Sequence, residues 1–144
     1  MRKSILILIG LIAWQSYSQD LTCDDFFNGL FIGTTPKFPG VEWEMTKYGT
    51  NQIETISKIP EKYIEQGYPT DTLFSKIHRI DKCSFRLNFD DSKMQLDQYM
   101  KRMNDNGGIF VEIKKIEGNC AFYVSKSTYE SEEIVIEGKI CKEK

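Results

Sequence analysis

The chain has 144 residues, 40% of them hydrophobic and 28% charged, and a formal net charge of −2. That length suffices for one domain with a real core but not for two. With Lys and Arg outnumbered by Asp and Glu and no basic patch, nucleic acid and anionic membrane surfaces are electrostatically poor partners.

The first eighteen residues, MRKSILILIGLIAWQSYS, begin with Arg2 and Lys3, run apolar from Ile5 to Trp14 and close on Ser16 and Ser18. This is the pattern of a secretory signal, with cleavage expected after Ser18. The apolar run is too short to cross a bilayer as a helix, and no later segment could do so. Residues 19 to 144 are therefore expected to form one exported domain, periplasmic or extracellular and monomeric, with seventeen basic against twenty-one acidic residues and a net charge near −4.

CDDFFNGLF, residues 23 to 31, crowds a cysteine, two acids and three phenylalanines into the start of that domain. A lipid anchor on Cys23 is disfavoured, because Thr22 precedes it where a small residue is needed and the polar run Gln15 to Asp20 separates it from the apolar segment. In an oxidising compartment Cys23, Cys83, Cys120 and Cys141 read as two disulfides with three conceivable pairings. Zinc is the weaker reading, since the four lie far apart, form no C-x-x-C pair and have only His78 to join them. No metal or cofactor is expected.

VEWEMTK sets Val41, Trp43 and Met45 against Glu42, Glu44 and Thr46, the period-2 alternation of a half-buried strand. YGTNQ supplies a turn and QIETI the returning arm of a hairpin. IPEKYIEQG suits a turn or two of helix, with Pro60 at its first position and Gly67 after it. CSFRLNF alternates again, with Cys83, Phe85, Leu87 and Phe89 on one face. In DSKMQLDQYMKRMNDNGG, Leu96, Tyr99, Met100 and Met103 form one helical stripe, which predicts a helix from about Lys93 to Asp105 capped by Ser92 and Gln95 and stopped at Gly107. The methionines of this stripe are read as cover for the sheet. IFVEIKKI, CAFYVS and EIVIEGKI then follow with short polar turns, as in an antiparallel meander.

Catalysis is not expected. Ser75 and His78 are three residues apart, which on a strand sends them to opposite faces, and neither an orienting acid nor a G-x-S-x-G elbow accompanies them. Glu42 and Glu44 stand about 7 Å apart along one strand face, a spacing compatible with glycoside hydrolysis. They lie opposite that strand's apolar face, however, and are read as solvated charges.

Cys23, Asp25, Phe26, Gly29 and Phe31 match the opening C-x-D-F-x-x-G-x-F of a family of short secreted bacterial proteins with a lipocalin-like barrel. Gln52, Ile53, Glu54 and Thr55 resemble its Q-x-E-T segment, and Cys83 to Phe89 its cysteine-led strand. Members sometimes carry a DNA topoisomerase IV label; this chain is too small and too acidic for that activity and has no strand-cleavage machinery. The resemblance implies a mainly β fold, an antiparallel up-and-down, lipocalin-like (calycin-like) barrel with one amphipathic helix, and no catalytic residues. The polar stretch Ser57 to Thr72 and the third and fourth cysteines depart from the shortest members.

The resemblance also implies a Cys23–Cys83 bridge, which leaves Cys120 with Cys141. A hairpin register that matches Phe122 with Gly138 and Val124 with Ile136 turns Cys120 and Cys141 to different faces, so this second bridge would need a bulge near Gly138. Two functions of different class follow. One is a binder holding a small apolar ligand inside the barrel, lined by Trp43, Phe85, Leu87, Phe122 and Val124. The alternative is a structural or interaction module of the cell envelope, in which the same side chains fill the interior.

Overall fold

The computed structural model describes residues 20–144, so the predicted signal segment lies outside the described residues. Eight antiparallel strands follow one another in chain order and close on themselves: β1 Gly29–Thr34, β2 Glu42–Tyr48, β3 Asn51–Lys58, β4 Leu73–Arg79, β5 Ser84–Phe89, β6 Ile109–Glu117, β7 Cys120–Tyr129 and β8 Glu132–Lys142. β8 returns to pair with β1, from Phe31 opposite Lys142 to Thr34 opposite Lys139. The expected lipocalin-like, up-and-down barrel is the observed fold. Alternation produces it: residues of one parity along each strand face a shared interior, and closure leaves no free sheet edge.

One end of the barrel is plugged. A single 3-10 turn, Cys23–Phe26, precedes β1 and buries Phe26 completely. Phe27 follows it and meets the Phe85 ring edge-on at 5.2 Å. The turn is sewn to the wall by the Cys23–Cys83 disulfide, by an Asp24–Arg79 ion pair, by the Arg79 guanidinium 4.1 Å from the Phe27 ring centre, and by Lys142 Nζ, which donates to the Asp25 carbonyl at 2.9 Å. Asp25 itself accepts from the Thr22 backbone nitrogen at 2.8 Å, a bond that holds its carboxyl below the usual range.

The long connections gather at the other end. Between β3 and β4 runs the short helix α1, Glu61–Glu65, with Pro60 as its N-cap rather than its first residue. The amphipathic helix α2, Gln98–Asp105, lies between β5 and β6 and begins five residues later than predicted. The reason is Asp90: its carboxylate takes both the backbone nitrogen and the hydroxyl of Ser92, at 3.1 and 2.6 Å, and pairs with Lys76 at 3.1 Å. Ser92 is thereby held in a turn, and Asp97 caps the helix by accepting from the Met100 backbone at 2.8 Å. At its far end α2 is tied to β5, because the Asn104 amide both donates to and accepts from the Phe89 backbone at 2.9 Å. Gly108, at φ +77, completes the exit; a Cβ there would sit 2.3 Å from the Leu87 carbonyl oxygen.

The second disulfide corrects the predicted hairpin register. Cys120 lies directly opposite Cys141, Tyr123 opposite Gly138 and Phe122 opposite Lys139, one step from the expected pairing, and no bulge near Gly138 is needed. The register follows from the turn, where Glu130 and Ser131 both take positive φ between Tyr129 and Glu132 as in a two-residue type I′ loop. It follows also from Gly138, whose missing side chain leaves room for the Tyr123 ring. A bulge does occur in β6, where the pairing with β7 skips Lys114. It keeps Ile113 and Ile116 both in contact with the buried cluster around Phe26 and Phe31.

Candidate functional site: the barrel interior

The closed end is filled by Phe26, Phe31, Ile113, Ala121 and Ile140. Above them the interior is hollow, a cavity of about 330 Å³. At its mouth stand Phe38, Tyr68, Tyr99 and Met103, all supplied by the long connections. Phe38 organises this rim, meeting Trp43, Tyr63 and Tyr68 edge-on at 6.3, 6.2 and 5.2 Å. Below the rim the walls are aliphatic, with Met45, Leu87, Ile109, Val111 and Ile136 facing inward.

One wall is polar. β2 carries its inward phase past Trp43 and Met45 to Lys47, and the tight turn at Gly49 brings Gln52 of β3 opposite Lys47 and Glu54 opposite Met45. All three line the cavity, and Tyr123 and Ser125 of β7 line it as well. Lys47 is only 3% exposed; its ammonium lies 4.7 Å from the Phe85 ring centre and 5.5 Å from that of Phe31. The Gln52 amide donates to Glu54 Oε1, while Gln52 Oε1 is buried without a partner. β3 and β4 pair only from Asn51 to Glu54, so they part just above this carboxyl.

Burial governs the protonation of the cluster. It pushes Lys47 down from 10.5 to about 8, with the nearby Glu54 charge pulling the other way. It pushes Glu54 up, against the Gln52 hydrogen bond and the Lys47 charge, and pushes the Tyr123 phenol up, further raised by Glu54. Glu54 is half-buried, with part of its surface facing the cavity.

Of the five residues expected to line the interior, Trp43, Phe85 and Leu87 do so. Phe122 and Val124 do not. β7 turns Ala121, Tyr123, Ser125 and Ser127 inward, leaving Phe122 36% exposed on the outer face with Val124 in the same phase. The correction is the same one-step register difference, which flips every side chain of a strand. Ser75 and His78 lie on opposite faces of β4, the first buried and the second exposed. Glu44 is exposed, and Glu42 pairs with Lys58 at 3.3 Å on the surface. Among the described residues no cluster of His, Cys, Asp or Glu has the arrangement to hold a metal, and no helix is long and apolar enough to cross a membrane.

The residues that sequence reasoning missed are Lys47, Gln52, Glu54 and Tyr123. Their signal was parity: Lys47 continues the Trp43–Met45 phase, and a two-residue turn after Tyr48 sets Gln52 and Glu54 on the same face.

No protein-family model, no curated protein and no solved structure matches the chain.

Proposed function

We propose that the protein is an exported, monomeric binder that holds one small, largely apolar ligand inside its barrel and performs no catalysis. The observation that carries this is the 330 Å³ cavity, open toward an aromatic rim and at the lower end of the range typical of small-molecule sites. A solid module would fill that space, since a void forfeits packing energy. Export is supported by the signal-like first eighteen residues and by two disulfides, which persist in oxidising compartments. The closed barrel, with both sheet edges paired, supports a monomer. The three sequence landmarks support membership of the secreted lipocalin-like family.

Trp43, the single tryptophan after residue 18, lines the cavity and touches Phe38 at the rim. Titration with a panel of fatty acids, retinoid-like compounds and haem is expected to shift its emission and raise the unfolding temperature by several degrees for at least one class. Neither response across the whole panel would overturn the proposal.

A further inference from the structure

Two polar groups facing the cavity lack what they need. The Lys47 ammonium makes no hydrogen bond or ion pair among the described residues and rests only on two aromatic faces. Gln52, 2% exposed, spends its amide nitrogen on Glu54 and leaves Oε1 without a donor. Lys47 and Gln52 are direct cross-strand neighbours, their Cβ atoms stand about 5 Å apart, and both line the same cavity, which presents the cation and the acceptor to one ligand. A buried cation with no anion in contact and a buried acceptor without a donor are both unfavourable until something fills them.

The remaining enclosure sets the other end of the ligand. Its walls are aliphatic and its rim aromatic, and 330 Å³ holds about eleven non-hydrogen atoms at ~30 Å³ each, so a head group and about the first eight carbons lie inside and the end of a longer tail lies in the open mouth. Resting on the binder reading above, we propose that the ligand is a medium-chain hydroxy acid: its carboxylate pairs with Lys47, its hydroxyl donates to Gln52 Oε1, and its hydrocarbon tail runs toward the rim at Trp43 and Tyr99. A simple alcohol leaves the cation without an anion. An amine sets a second positive charge beside Lys47. Burial pushes Glu54 up toward its neutral form, which lessens its repulsion of the incoming carboxylate.

Isothermal titration with 3-hydroxydecanoate, decanoate and 1-decanol at neutral pH, each below its micelle concentration, separates the contributions. The hydroxy acid is expected to bind tightest, decanoate about fivefold weaker for want of the Gln52 hydrogen bond, and decanol weaker again by about tenfold or more for want of the charge-assisted one. Lys47→Met is expected to erase the preference of acid over alcohol, and Gln52→Leu to erase only the preference for the hydroxyl. Decanol matching decanoate on the wild type, or the hydroxy acid binding no tighter than decanoate, would overturn the assignment. If none of the three binds while another apolar compound shifts Trp43 fluorescence, the head-group assignment fails and the binder reading survives; if nothing binds, both fail.

Discussion

Replacing Cys23 and Cys83 together by serine is expected to remove about 4 kcal/mol of stability, because the bridge closes a loop whose ends are 60 residues apart and the lost chain entropy grows with the logarithm of that length. The Cys120–Cys141 bridge, spanning 21 residues, is worth about 3 kcal/mol on the same model. It joins directly opposed positions of a hairpin that a two-residue turn already holds in register. The longer bridge has a second task, since it fastens the turn that carries Phe26 and Phe27 into the closed end. The Asp24–Arg79 pair that would remain is solvent-exposed on both sides and is a weak substitute. Urea unfolding of the double variant against wild type measures the difference, and a loss under about 1 kcal/mol would contradict the role given to the bridge.

Lys47→Met is expected to stabilise the protein at neutral pH. Wild-type folding takes the Lys47 ammonium out of water without giving it an anion in contact, whereas methionine fills the space with a side chain that suits Phe31 and Phe85. The pH dependence follows from the depressed folded value. Between about 8 and 10.5 the unfolded chain binds the Lys47 proton more tightly than the folded one, so stability rises with pH across that window. Below it the penalty is present in full, on the order of 3 kcal/mol, and above it the penalty is gone. The groups facing Lys47, namely Gln52 and Glu54 of β3, Phe31, Phe85 and Tyr123, are common to both proteins. Glu54, which burial pushes up, loses in the variant the Lys47 charge that pulls it down, and so moves further in the same direction. The gap between variant and wild type should therefore be largest near pH 7 and shrink toward pH 11. A variant less stable than wild type at pH 7, with a gap indifferent to pH, would show that Lys47 is satisfied in the folded state.

The barrel was legible because alternation is a local signal wherever one parity is mainly apolar and the other polar. β2 and β5 satisfy that condition, and Trp43, Phe85 and Leu87 stand where their parity placed them. CAFYVS does not satisfy it, since Phe122 and Val124 share one parity and Ala121 and Tyr123 the other. What decides between them lies outside the segment: the turn at Glu130 and Ser131, the gap at Gly138 that admits Tyr123, and Ile140, Ile136 and Ile134 opposite the small residues Ala121, Ser125 and Ser127. The start of α2 was missed for a related reason. Ser92 has the chemistry of a cap, but Asp90, anchored to Lys76 of β4, claims it. The polar wall escaped notice because Lys, Gln and Glu are ordinarily read as solvent-facing, and only the hairpin register shows that parity outweighs polarity at Lys47, Gln52 and Glu54.

The most direct test of a hollow, ligand-holding interior is an intermolecular NOE experiment on the protein with 3-hydroxydecanoate and isotope-labelled methyl groups. Cross-peaks from the chain methylenes to Met103, Ile109, Val111 and Ile136 are expected, with none to Leu30 or Val135 on the outer surface. Cross-peaks confined to Leu30, Val124 and Val135, with the inward methyl groups unperturbed at saturation, would place the ligand outside the barrel and contradict the account.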